Sequence, residues 1–188
     1  MACSKLFSGD LPEISIYIIQ NLRNNFSTLY SLALVNRFWC RLAIPLLWED
    51  PFSIKYREKL SYHFLDIYFL FLNDSDKTKL KEIKIKFLDY SNLKKPLFNY
   101  PSLIKTLNSR RIRLHVGNWI AASYNITSTS VQQSLFSSTD LYESRGTNIY
   151  DEKINVVCIA LFKLFIENNA SLNNLNMYID SRSYRSIF

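Results

Sequence analysis

Residues 11–48 read LPEISIYIIQNLRNNFSTLYSLALVNRFWCRLAIPLLW, and the spacing of apolar residues in this stretch sets the expected fold. Pro12 suits the first position of a helix, where a missing N–H costs nothing. Leu11, Ile14, Ile18, Ile19 and Leu22 follow at helical spacing and make one apolar stripe. Asn21, Asn24 and Asn25 interrupt it, and Ser27 is the expected N-cap of a second helix bearing Leu29, Leu32 and Ala33. Trp39, Leu42 and Ala43 continue as a third helical face, which Pro45 is expected to stop. Leu46, Leu47 and Trp48 form an apolar end-piece, and Glu49-Asp50-Pro51 marks a boundary.

A helical unit of about forty residues cannot bury all its apolar groups alone, because so small a domain usually needs a staple or a partner. Here Ile, Leu, Val and Trp fall on more than one face. Cys3, Cys40 and Cys158 are odd in number and have no C-x-x-C spacing, so they read as reduced thiols and not as a disulfide frame or zinc site. The surplus apolar surface is left for another chain or for the rest of this one.

The same stretch resembles the F-box family. Leu11-Pro12-Glu13-Ile14 is similar to the family's Leu-Pro opening, and Ile18, Ile19 and Leu22 to the hydrophobic positions of its first helix. Leu29 and Leu32 match those of its second. Val35-Asn36-Arg37-Phe38-Trp39 resembles the Val-Cys-Arg-x-Trp segment, and Leu47-Trp48 the closing Leu-Trp. The chain departs in placing Glu13 directly after Pro12 and in having Asn36 where the family has cysteine. The resemblance implies three helices that dock on a Skp-type adaptor, and through it on a cullin, with Leu11, Pro12, Ile14, Ile18, Ile19, Leu29, Leu32, Val35, Trp39, Leu47 and Trp48 as candidate adaptor-binding residues. Leu11 and Pro12 are favoured for contact, because the family exposes the start of the first helix. Trp39 has a second reading, as a side chain that organises the three helices from within.

Charge separates this head from the remainder. Lys5, Arg23, Arg37 and Arg41 balance Asp10, Glu13, Glu49 and Asp50 in residues 1–50, so the whole net charge of +7 belongs to the chain after position 50. There, residues 56–72 fit a helix with Tyr56, Leu60, Phe64, Ile67 and Phe71 on one side, and Leu80 to Phe87 alternate as a half-exposed strand. A short helix is expected around Leu103 to Leu107, and a polar surface loop from Ser123 to Asn148. Ile154, Val157, Cys158, Leu161, Leu164 and Phe165 predict a helix over 152–167, ended by Asn168 and Asn169, with a short strand at Leu172 to Met177. Leu80-x-x-Ile83-x-Ile85 and Leu172-x-x-Leu175-x-Met177 both fit the skeleton of leucine-rich repeats, which F-box proteins commonly carry as substrate-reading surfaces. Two unrelated amphipathic strands explain the same residues equally well.

Lys77, Lys79, Lys81, Lys84, Lys86, Lys94 and Lys95, with Arg110, Arg111 and Arg113, raise nucleic-acid binding as a rival function. No binding-fold motif accompanies them, and lysines along a strand are usually an edge-protecting solvated face. His63 and His115 lack any flanking catalytic pattern, and no P-loop, H-E-x-x-H or G-x-S-x-G occurs. No enzyme, cofactor or metal is expected. No apolar run approaches the roughly 20 residues a membrane span needs, so the cytoplasm or nucleus is the expected compartment. The expectation is therefore an α+β chain: an F-box over 1–50, then a helix/strand region over 51–188 resembling incomplete leucine-rich repeats and holding a protein substrate. The resemblance implies a substrate-recruiting subunit of a Skp–cullin–F-box ubiquitin ligase. A non-ligase interaction protein with a degenerate F-box is the alternative.

Overall fold

Asparagine side chains start the second and third helices of the chain, the second at Asn25 and not at the expected Ser27. In the computed structural model, which describes residues 11–53, 64–83, 85, 96–123 and 145–178, α1 spans Pro12–Asn21, α2 Phe26–Ala33 and α3 Arg37–Leu47. Asn25 accepts a hydrogen bond from the Thr28 N–H at 3.1 Å and Asn36 from the Trp39 N–H at 3.0 Å. Each satisfies one of the donors a helix start leaves open. Ser27 lies inside α2, where its carbonyl accepts from the Ser31 hydroxyl. Pro45 does not stop α3. It sits in the last turn, where only its own N–H is lost, and the Trp48 N–H reaches the Ile44 carbonyl at 3.1 Å to close the end.

The chain divides into two units, Met1–Pro51 and Phe52–Phe188. In the first, α3 packs against both α1 and α2. Ile19, Leu29, Trp39 and Ala43 form the core, with Leu22, Leu32, Phe38, Leu42, Leu46 and Leu47 packed around them. Four buried side chains are a small core, since burying a Leu or Ile stabilises by about 1.5–3 kcal/mol. Arg23 reaches Glu49 at 3.1 Å, an exposed pair worth at most about 1 kcal/mol.

The second unit is built on aromatic rings. Phe52, Phe64, Tyr68, His115 and Phe165 meet at centroid distances of 5.1–6.5 Å, mostly edge to face. Helix α4 (Phe64–Phe69) buries Leu65, Tyr68 and Phe69, not the expected stripe through Phe64, Ile67 and Phe71. The expected residues Tyr56 and Leu60 lie outside the described residues.

Leu80 is not in a strand. It closes α5 (Asp74–Glu82), capped by Asn73, with Asp74 and Asp76 in the first turn and Lys79 and Lys81 in the last, the polarity a helix dipole favours. The alternating pattern from Leu80 coincided with the three-residue spacing of a helix end. Of its later residues Ile85 is buried, its N–H bonded to the Leu80 carbonyl, and 86–87 lie outside the described residues. The short helix expected at Leu103 to Leu107 is instead a 3-10 turn (Tyr100–Leu103) followed by strand β1 (Thr106–Asn108). Asn108 then caps α6 (Ser109–Ser123), accepting from the Arg111 N–H.

Helix α7 (Arg145–Glu167) begins inside the expected loop, of which 124–144 lie outside the described residues. Ile154, Val157, Leu161, Leu164 and Phe165 are its buried line. Arg113 of α6 holds Asp151 at 2.7 Å and also donates to Asn155, and the Tyr150 hydroxyl donates to the Gly117 carbonyl at 2.5 Å. The end of α7 is a Schellman motif: Asn169 adopts φ 54°, its N–H bonds Ile166 and the Ala170 N–H bonds Phe165. Asparagine tolerates this left-handed position better than most residues. Strand β2 (Asn174–Asn176) then pairs parallel to β1, Leu107 opposite Leu175. Among the described residues the architecture is α+β, mainly helical with one two-stranded parallel sheet.

Candidate docking surface

Helix α1 shows how the first unit comes to carry apolar groups on its outside. At about 100° per residue, Leu11, Ser15, Ile18, Ile19 and Leu22 share one arc, and Ile14 falls at its margin. Ser15 and Ile19 are buried. Ser15 tolerates burial because its hydroxyl donates to the Leu11 carbonyl at 2.9 Å. Ile14 is accordingly 50% exposed and Tyr17 69%. Helix α2 repeats the pattern. Leu29 points inward, while Phe26, Tyr30 and Leu34, spaced by four, face solvent with the first two rings stacked at 6.4 Å.

Half of the large hydrophobics that stand exposed among the described residues, seven of fourteen, lie between Ile14 and Val35. Exposed apolar groups at that density, on a unit with a four-residue core, make this face a candidate interaction surface. Between α1 and α3 runs a groove of about 280 Å³ lined by Ile16, Ile19, Gln20, Arg41, Leu42, Pro45 and Leu46.

The candidate residues read from the sequence separate into two groups. Ile19, Leu29 and Trp39 are sealed in the unit's own core, Trp39 at 2% exposure, with Leu32 and Leu47 packed against them. These five are brought together as structure and are not presented outward. Leu11, Ile18 and Trp48 are half-buried. Pro12, Ile14 and Val35 are exposed, Pro12 at the first position of α1 and Val35 in the turn between α2 and α3. Sequence reading missed Tyr17, Phe26, Tyr30 and Leu34. The signal for Phe26, Tyr30 and Leu34 lies in a second apolar phase along α2 and its C-cap, offset from Leu29 and Leu32.

In the second unit three titratable groups are shifted by their surroundings. Asp76 is buried, takes the Lys163 ammonium at 2.9 Å, and that hydrogen bond holds its carboxyl below the usual carboxylate range. Burial pushes the His115 imidazole below its usual pKa, keeping it neutral, and lifts the Cys158 thiol to about 12, where it is a poor nucleophile. Among the described residues no group of His, Cys, Asp and Glu could hold a metal ion, and no helix is long and apolar enough to cross a membrane. Comparison with protein-family models, curated proteins and solved structures finds no match for the chain.

Proposed function

We propose that the first unit is an F-box that docks on a Skp-type adaptor, making the chain a substrate-recruiting subunit of a Skp–cullin–F-box E3 ubiquitin ligase. One observation carries the reading. Three short helices over 12–47 enclose a core too small for their apolar content and turn Ile14, Tyr17, Phe26, Tyr30, Leu34 and Val35 outward. Pro12, Ile14 and Val35, three positions of the family likeness, are among the exposed residues. Ile19, Leu29 and Trp39 would then shape the module without touching the adaptor.

The mechanism is proximity. Residues 11–48 hold the chain on the adaptor–cullin scaffold, and the second unit holds a protein target near a ubiquitin-charged enzyme. The target lysine is thereby raised in effective concentration, and this chain breaks no bond. The leucine-rich-repeat likeness enters only through the order β1–α6–α7–β2, a parallel pair joined by helices. Leu80 belongs to a helix, and Leu172, Leu175 and Met177 are exposed, so a repeat array is not part of the proposal.

The test is a calorimetric titration of the purified chain with a purified Skp-type adaptor. A stoichiometric complex is expected, with Val35→Asp weakening it. Absence of any complex at micromolar concentrations would leave an interaction protein with a degenerate F-box.

A further inference from the structure

We propose that the groove between α1 and α3 takes an amphipathic helix of a partner protein, one whose aliphatic residues are flanked by carboxylates. Ile16, Ile19, Leu42, Pro45 and Leu46 make its walls apolar. Ile19 is buried there, Leu42, Pro45 and Leu46 are half-buried, and Ile16 is 41% exposed. Its volume of about 280 Å³ falls below the roughly 300–1,000 Å³ of small-molecule sites. Both walls are helices, which bond their backbone along their own axes and offer no strand edge. A segment laid between them must satisfy its own backbone groups, as a helix does.

Two polar side chains join this apolar lining, Gln20 and Arg41, both exposed. Arg37 stands one turn before Arg41 on α3 and is also exposed. Among the described residues Glu49 answers Arg23 at 3.1 Å, whereas no ion pair reaches Arg37 or Arg41. No Asp or Glu occurs from Ile14 to Trp48, a stretch that holds three arginines. A guanidinium beside apolar walls is matched by a carboxylate next to an aliphatic side chain, which arginine binds through paired hydrogen bonds. A second copy is disfavoured because the chain carries a net charge of +7 and copies repel. Nucleic acid is disfavoured because no aromatic ring lines the groove among the described residues to stack a base. Ile14 and Ile16 point about 160° apart around α1, so this site and the proposed adaptor face lie on opposite flanks of that helix.

The inference goes beyond the adaptor reading, and its test contains no adaptor, so failure of one leaves the other standing. Fluorescein-labelled alanine-based peptides of about 18 residues, long enough to be helical, are titrated against the full chain by anisotropy. Each carries leucines one turn apart, flanked by glutamate in one peptide and by lysine in the other. The glutamate peptide should bind at least about tenfold more tightly, and a proline at its centre should abolish binding by breaking the helix. Ile16→Asp should abolish binding of the glutamate peptide while circular dichroism keeps its helical signal. Arg37→Glu with Arg41→Glu should reverse the preference toward the lysine peptide, a gain no misfolded chain can show. Equal binding of both peptides, or binding of neither, overturns the proposal. So does displacement of the peptide by oligothymidylate, or self-association of the chain that Ile16→Asp removes.

Discussion

Replacing Ile14 by Ala should weaken the complex with a Skp-type adaptor about fivefold and leave the first unit folded. Burying a whole isoleucine side chain is worth about 1.5–3 kcal/mol, and Ile14 is 50% exposed, so about half of that remains for a partner to gain. Truncation to Ala forfeits about 1 kcal/mol of it, and about 1.4 kcal/mol corresponds to tenfold in Kd. Ile14→Asp adds an unpaired carboxylate to a desolvated interface, so its loss should reach about a hundredfold or more. The stability control is small. Ile14→Ala gives up the half of the side chain already buried in the unit, about 1 kcal/mol, and the better helix propensity of Ala returns a few tenths of a kcal/mol, so the unfolding midpoint should fall only slightly. Isothermal titration calorimetry reads the affinity and circular dichroism the fold. An Ile14→Asp chain that stays folded and binds the adaptor at full strength would refute docking through the start of α1.

Trp39→Ala should act oppositely, unfolding the first unit by about 3–5 kcal/mol through lost burial and a residual cavity, as read by a urea titration. An unchanged midpoint would show that Trp39 does not hold the three helices together. Asn36→Ala should cost about 1 kcal/mol by removing the hydrogen bond to the Trp39 N–H, with a serine replacement restoring most of it. The second unit should lose stability in acid in two stages. The His115 pKa is lowered from 6.5 mainly by burial, so its contribution is whole above 6.5 and is lost as pH falls below that value. Asp76 is lowered from 3.8 mainly by the Lys163 hydrogen bond, so its contribution is whole above that value and is lost as pH falls through the folded pKa. Denaturation midpoints against pH should therefore decline from about pH 6.5, and Asp76→Asn should flatten only the acid limb; a flat curve down to pH 5 would refute the assignment to His115.

The helices of residues 11–48 and the helix ending at Asn168 were legible because their signals are local: apolar periodicity, Pro12 at a first turn and asparagines at the ends. The Pro45 stop failed because a proline in a last turn forfeits one bond, while Leu46 and Leu47 remain packed on the core. Asn25 and Asn36 are good N-cap residues by type, but several asparagines stand close together before α2, and only the bonds to the Thr28 and Trp39 N–H groups single out the caps.

β1 depends on a partner about seventy residues away, and three residues around Leu107 carry no local pattern that separates strand from helix. The strand expected at Leu80 was overridden by Asn73 and by the charge polarity of α5, signals lying upstream of the alternation itself. The candidate surface divides on the same principle. Periodicity tells which residues of a helix share a face, but all apolar faces look alike until neighbouring helices choose one to cover. Packing against α3 buried Ile19 and Leu29 and left Ile14, Tyr17, Phe26 and Tyr30 outside, a choice made by contacts between segments and written in no single one of them.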